Sequence, residues 1–235
     1  TEGMLAWPPD PEAWSLRWYR NMIGDCSAEV VSSTVPCSTK WMVGTINSFY
    51  IGIISTAIAT ALGTMAALGL SRPHMPYKPL IMSILISPMI VPLIITAAGM
   101  FFFYARINLV YTFTGVILAH VALATPFVVI TVTATLVGFD MNMVKAAQSL
   151  GAKPLRTFFK VIMPLILPGI ISGALFAFIT SFDEVVIVMF MASIDQLTIP
   201  KQMWAGIRQE ISPVILCMAT CLVILSIVLL TTVEL

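Results

Sequence analysis

Two adjacent carboxylates, Asp183 and Glu184, stand inside a stretch, Val161–Ile194, that carries no other charge. An acid at the centre of a membrane helix costs about 2.5–3.5 kcal/mol on insertion scales, so a buried pair of this kind calls for a partner. No Lys or Arg lies within any of the apolar runs of the chain. The partner is therefore His120, another subunit, water in a cavity or a cationic substrate. Neighbouring residues on a helix point about 100° apart, so the two acids need not face one path. On one reading, Asp183 at least lines a translocation pathway near its outer gate and favours cations. On the other, both acids cap a helix break or bond to nearby backbone. Aromatic faces also attract cations, and Trp18, Trp41, Tyr50 and Trp204 fall at or near one interface. An aromatic belt anchoring the chain in the bilayer accounts for the same residues.

Other reactive side chains offer less. His120 is alone in its apolar run, with no second metal ligand nearby in sequence, and reads as a hydrogen-bonded structural histidine. Cys217 and Cys221 are four residues apart and share a helix face, but two thiols make a poor metal site, so small packing residues are the simpler reading. Cys26 and Cys37 could pair in an oxidising compartment. No metal or cofactor site is expected. The chain lacks the Gly-x-x-x-x-Gly-Lys-Ser/Thr phosphate loop, and a membrane-embedded enzyme would need catalytic clusters beyond the Asp183–Glu184 pair.

The elements that must hold these residues follow from composition. Of 235 residues, 59% are hydrophobic and 10% charged, and the mean hydropathy is +0.98. A soluble domain carries roughly a quarter charged residues. A net charge of +1 gives no reason to expect nucleic acid. Five runs reach the roughly 20 apolar residues that a membrane helix needs: Trp41–Leu70, Pro79–Ala105, Ile107–Phe139, Val161–Ile194 and Ile211–Val233. Continuous apolar sequence, without in/out alternation, makes them helices rather than barrel strands. The fold class is an all-α polytopic membrane bundle. Residues 1–40 form an external segment, and residues 41–235 the membrane domain.

Between the runs, Arg72 and Lys78 occupy one loop and Lys145, Lys153, Arg156 and Lys160 another. The positive-inside rule puts both loops in the cytoplasm. Counting Arg17, Arg20 and Lys40 with Arg106, Lys201 and Arg208 makes the tally six against six. The short loops decide, because long external segments weigh less in the rule. The opening Trp7-Pro8-Pro9-Asp10-Pro11 and the absence of an initiating Met read as the middle of a protein, so a span before Thr1 is expected.

The cytoplasmic stretch 138–168 reads as two short helices. Asp140 suits an N-cap, Gly151 a left-handed helix end and Pro154 the first turn of the second helix. Arg156 and Lys160 lie four apart, with Leu155, Phe158, Phe159 and Ile162 as apolar surface. Pro164 and Pro168 mark a break before the next span. Exposed phenylalanines on a basic knob suggest docking.

Here the sequence resembles a known family. Lys145-Ala146-Ala147, Gly151 and Val161-Ile162-Met163-Pro164 match the spacing of the "EAA" loop of permease subunits of ATP-binding-cassette importers: Glu-Ala-Ala, three residues, Gly, nine residues, Ile-x-Leu-Pro. Lys145 replaces the Glu, reversing a charge. Ser15-Leu16-Arg17-Trp18-Tyr19-Arg20, Asn47-Ser48, Ala119-His120-Val121, Thr125-Pro126-Phe127-Val128-Val129 and Ser181-Phe182-Asp183-Glu184-Val185-Val186 resemble the spermidine/putrescine-type branch in order and spacing. Met89 follows Ser87-Pro88 where polyamine permeases are expected to carry an acid.

The resemblance implies a type I importer permease of six spans in a bacterial inner membrane. It implies two ATP-binding subunits, a second permease subunit that is a paralogue, and an external solute-binding protein. Lys145, Ala146, Ala147, Gly151, Arg156, Phe158 and Pro164, within coupling helices at 140–164, would engage the ATPase. Asp183, Glu184, Trp18 and Tyr50 would line the substrate pathway for a cationic or zwitterionic amine. The rival reading is an ion-coupled secondary transporter with Asp183/Glu184 as ion site, although the internal repeat usual in such folds is not evident.

Overall fold

The computed structural model describes residues 16–24, 39–72, 74–140, 142–209 and 212–234. Cys26, Cys37 and the Pro-rich opening lie outside the described residues. The chain divides into two units, residues 1–46 with 197–235 and residues 47–196. The first holds the short helix α1 (Arg17–Met22), the start of α2 (Lys40–Leu70), and, late in the chain, α10 (Ile199–Gln209) and α11 (Pro213–Glu234). Within it, α1 packs on α11. Cys217 is buried and Cys221 half-buried, both as free thiols.

The second unit holds the rest of α2, then α3 (Lys78–Ile90), α4 (Leu93–Arg106), α5 (Phe113–Val137), α6 (Asn142–Ser149), α7 (Pro154–Thr157), a π turn (Phe158–Ile162), α8 (Met163–Phe182) and α9 (Val186–Met191). Its core is built on α5, which is apolar on every side and accordingly enclosed; Val116, Ala119, Ala124, Val128 and Val132 have no exposure at all. The Thr112 hydroxyl caps this helix, accepting from the Gly115 N–H at 3.0 Å.

Two neighbours pack on α5 in opposite senses. α8 runs antiparallel: Gly169 lies against Thr135, and Gly173 against Thr131 and Val128. Small residues spaced four apart let membrane helices approach closely. α2 runs parallel: Ser55 donates to the Ile117 carbonyl at 3.3 Å, and Gly63 lies against Val128. This register gives the unit two ends. One gathers residues 70–78 and 138–154. The other gathers residues 106–112 and 182–196, tied by Asn47 Nδ2 donating to the Asp195 carbonyl at 2.8 Å and by the Tyr111 N–H donating to the Met191 carbonyl at 2.9 Å.

The first end carries Arg72, Lys78, Lys145, Lys153, Arg156 and Lys160 against Asp140; the second carries Arg106 against Asp183, Glu184 and Asp195. The excess of Lys and Arg at the first end is the pattern that the positive-inside rule associates with a cytoplasmic face. In a cysteine-free background, a cysteine at Ser71 should stay unlabelled by an impermeant maleimide in intact cells, and one at Asp195 should react. Labelling at position 71 from outside inverts the orientation.

Two expectations from the sequence need correction. Three helical stretches, Lys40–Leu70, Phe113–Val137 and Pro154–Phe182, are single helices long and apolar enough to span. The run Pro79–Ala105 is not a straight span: α3 and α4 meet at 102°. Pro92 cannot extend the α3 ladder, and it forces the preceding Val91 into extended backbone, at φ −72° and ψ 133°. Pro88, within α3, costs only a local bond, because the Ser87 hydroxyl donates at 2.8 Å to the Ile84 carbonyl that the missing N–H would have served.

The second correction concerns Pro164 and Pro168. The helix does not break there but runs from Pro154 to Phe182 over 29 residues. The π turn at Phe158–Ile162 widens the ladder by one residue, with the Met163 N–H bonded to the Phe158 carbonyl. Pro164 thus follows a turn already loosened where its ring would otherwise strike the backbone.

Candidate functional site

At the basic end, α6 packs on α7 and on the π turn. Asp140 does what its position suggests: its Oδ1 accepts from the Asn142 N–H at 2.9 Å. α6 ends at Gly151, whose φ is +78°. The Gly151 N–H donates to the Gln148 carbonyl at 2.9 Å, and the Ala152 N–H to the Ala147 carbonyl at 3.1 Å. These are the two bonds of a Schellman motif, which needs a left-handed residue at this point. Pro154 then opens α7.

The resulting knob exposes Lys145, Ala146, Arg156, Lys160 and Pro164, and half-buries Ala147. Leu150 is 88% exposed, Leu155 74% and Phe159 62%. Apolar surface of this extent at an aqueous end is what a docking face would present. Phe158 is turned elsewhere. Its ring meets Phe159 edge-on at 5.0 Å, but it is half-buried and closes the basic end of a groove between α2 and α8.

That groove has a volume of about 780 Å³. Thr56, Thr60 and Thr64 of α2 line one wall and Met163, Ile170, Ala174 and Phe178 of α8 the other. From Met163 to Phe178 it follows about 22 Å of helix, most of an apolar membrane core of about 30 Å. At its far end, Phe49 and Phe182 meet at 5.2 Å and Phe178 and Phe182 at 5.4 Å.

One residue beyond Phe182 the two acids part. α8 stops, and Asp183 forms its C-cap, its N–H donating to the Ile179 carbonyl at 3.0 Å. The Asp183 side chain is exposed, without a hydrogen-bond or ion-pair partner among the described residues. Glu184 is buried at 8% exposure, and its Oε1 accepts from the Ile187 N–H at 2.9 Å, capping the first turn of α9. The break that the sequence allowed is therefore present, and one of the two acids serves it. His120 bonds to neither acid; its Nδ1 lies 2.8 Å from Ser181 Oγ.

The remaining residues expected along the pathway separate. Tyr50 is in the same unit as the acids, half-exposed, with its ring edge-on to Phe113 at 5.5 Å. Trp18, half-buried on α1, belongs to the other unit. Met89, after Ser87-Pro88, is 43% exposed near the end of α3. Sequence reasoning missed the groove and the close seam along α5. The seam did leave a signal, the Gly169-x-x-x-Gly173 spacing inside an apolar run.

Comparison with known proteins agrees with this architecture. A family model described as "Binding-protein-dependent transport system inner membrane component" matches residues 42–235. The spermidine/putrescine transport system permease protein PotC of Haemophilus influenzae is 30% identical over 184 residues, covering 78% of this chain and 72% of that protein. The putrescine transport system permease protein PotI of Escherichia coli is 28% identical over 214 residues, covering 88% and 72%. Among solved structures, an inward-facing form of the MetNI methionine ABC transporter superposes with a TM-score of 0.64 at 18% identity, over 87% of this chain and 96% of that one. At that identity the likeness speaks for the fold, which is that of a type I importer permease. Together the matched residues and the shared fold place the chain in the family of binding-protein-dependent transport system inner membrane components.

Proposed function

We propose that this chain is one of two permease subunits of an ATP-driven importer in a bacterial inner membrane, and that it passes a small organic amine of the polyamine kind. Two ATP-binding subunits would dock on the knob at 140–164, and an external solute-binding protein would deliver the amine at the opposite end. Family membership replaces the ion-coupled alternative, and the relatives named for spermidine and putrescine transport support the substrate class.

The observation that carries the proposal is the placement of Asp183. A carboxylate at the carboxyl end of a long helix stands beside unpaired carbonyls and the negative end of the helix dipole. That position disfavours an acid and favours a cation. Glu184 has a structural use at the amino end of α9, where an acid is welcome; Asp183 has none among the described residues. One residue past the end of α8, an exposed unpaired carboxylate is suited to an alkylammonium group.

Asp183→Asn keeps size and hydrogen-bonding capacity and removes the charge. In proteoliposomes containing the full transporter and its binding protein, it should cut spermidine uptake about tenfold at unchanged subunit content. Glu184→Gln keeps the Oε1 that caps α9 and should leave abundance and uptake near parental. Parental uptake by Asp183→Asn makes that carboxylate incidental and ends the amine proposal.

A further inference from the structure

His120 is 1% exposed in the middle of the most enclosed helix. Its Nδ1 and Ser181 Oγ, 2.8 Å apart, make the one side-chain hydrogen bond between α5 and α8 among the described residues. Its Nε2 is buried without a partner there. An apolar side chain of similar size would fill the space with no unsatisfied nitrogen, so packing alone does not account for an imidazole.

The position of the bond does. Gly173 brings α8 against Val128 of α5. Eight residues further along each helix, about 12 Å away, stand Ser181 and His120. The bond therefore pins the last turn of α8 to α5, next to where that helix ends at Phe182. The other side of the break is held separately. Glu184 caps α9 through the Ile187 N–H, and the Tyr111 N–H holds the Met191 carbonyl at the far end of α9. Only residues 183–185 lie between the two helices.

We propose that His120 is a positioning residue: through Ser181 it fixes where α8 ends, and so where the Asp183 carboxylate stands just beyond that end. This rests on the assignment of Asp183 to the amine pathway. A carboxylate displaced by about 1 Å still lies in the site but meets the ammonium poorly, which raises KM more than it lowers turnover.

The test is spermidine uptake by the reconstituted transporter, with and without Asp183. Ser181→Ala, which deletes a single oxygen, should raise KM about fivefold at parental subunit content. His120→Leu should do the same. His120→Asn, which keeps a polar atom at the Nδ1 position, should restore most of the affinity. In an Asp183→Asn background, Ser181→Ala should change nothing further. An equal loss in both backgrounds makes the bond merely structural and overturns the proposal, as does parental KM in Ser181→Ala. If Asp183→Asn itself transports at the parental rate, the amine pathway fails and His120 positions nothing. If Asp183→Asn is impaired and Ser181→Ala is not, the positioning role alone fails. Should His120→Leu be lost from the membrane, the Ser181→Ala pair still decides.

Discussion

Gly151→Val should lose about tenfold or more of ATP-driven uptake while the protein still inserts, and Gly151→Asn should keep most of its activity. The φ of +78° at this residue lies in the left-handed region. A Cβ there would meet nothing within 4 Å, so the effect comes from the backbone and not from a clash. A left-handed conformation costs an ordinary L-residue about 1–2 kcal/mol, and a β-branched one more, whereas Asn tolerates it. Valine would open the two bonds that turn the chain from α6 into α7, moving Lys145 and Ala146 relative to Arg156 and Phe159. Membrane abundance should hold, because Gly151 is exposed outside the apolar helices. The measurement is ATP hydrolysis stimulated by the loaded binding protein, beside uptake. Normal values for both in Gly151→Val remove the turn from coupling. A loss in Gly151→Asn equal to that in Gly151→Val assigns the effect to the added side chain and not to the backbone.

Much of this geometry is local, and local features were legible in the sequence. Asp140, Gly151 and Pro154 announce a cap, a left-handed stop and a restart within a few residues, and each behaves accordingly. Three long apolar runs are long helices for the same reason. The failures share another cause: an apolar run records length, not direction. Nothing in Pro79–Ala105 tells a spanning helix from two helices at 102° except Pro92, and Pro126 sits within α5 without breaking it. Pro164 misled because a π turn, invisible to a period of 3.6, absorbs the missing bond.

The acids show the limit more sharply. Adjacent residues of similar type carry no mark that separates a cap from a pathway group. Their division depends on where α8 stops, and that depends on a contact between residues 61 apart in sequence, His120 and Ser181. No periodicity or motif encodes it. The same is true of the groove, whose walls come from residues 53–68 and 158–178. A pair of glycines four apart was the readable trace of the packing that forms one side of it.

Those glycines give the other large expected effect. Gly173→Leu should reduce the membrane content of the protein at least about fivefold, whereas Ala174→Leu, one residue on, should leave content near parental. A Cβ at Gly173 would fall 2.5 Å from Thr131 Oγ1 and 3.1 Å from Val128 Cα. The second of these is backbone of the central helix, which cannot rotate aside. Overpacking of a filled interior costs typically about 1–3 kcal/mol, and leucine here adds three further carbons with no room to place them. α8 would be pushed from α5, exposing the buried Ile170 and Ala177 and lengthening the His120–Ser181 bond. Ala174 instead borders the groove and is half-buried, so a leucine there projects into open space. It should fold, narrow the groove and slow uptake. Quantitative immunoblotting of membranes, with uptake normalised to content, separates the two. Gly173→Leu at parental content means that α8 does not rest on α5 through this residue. Ala174→Leu with parental uptake per molecule removes the α2–α8 groove from the pathway, while leaving the seam along α5 intact.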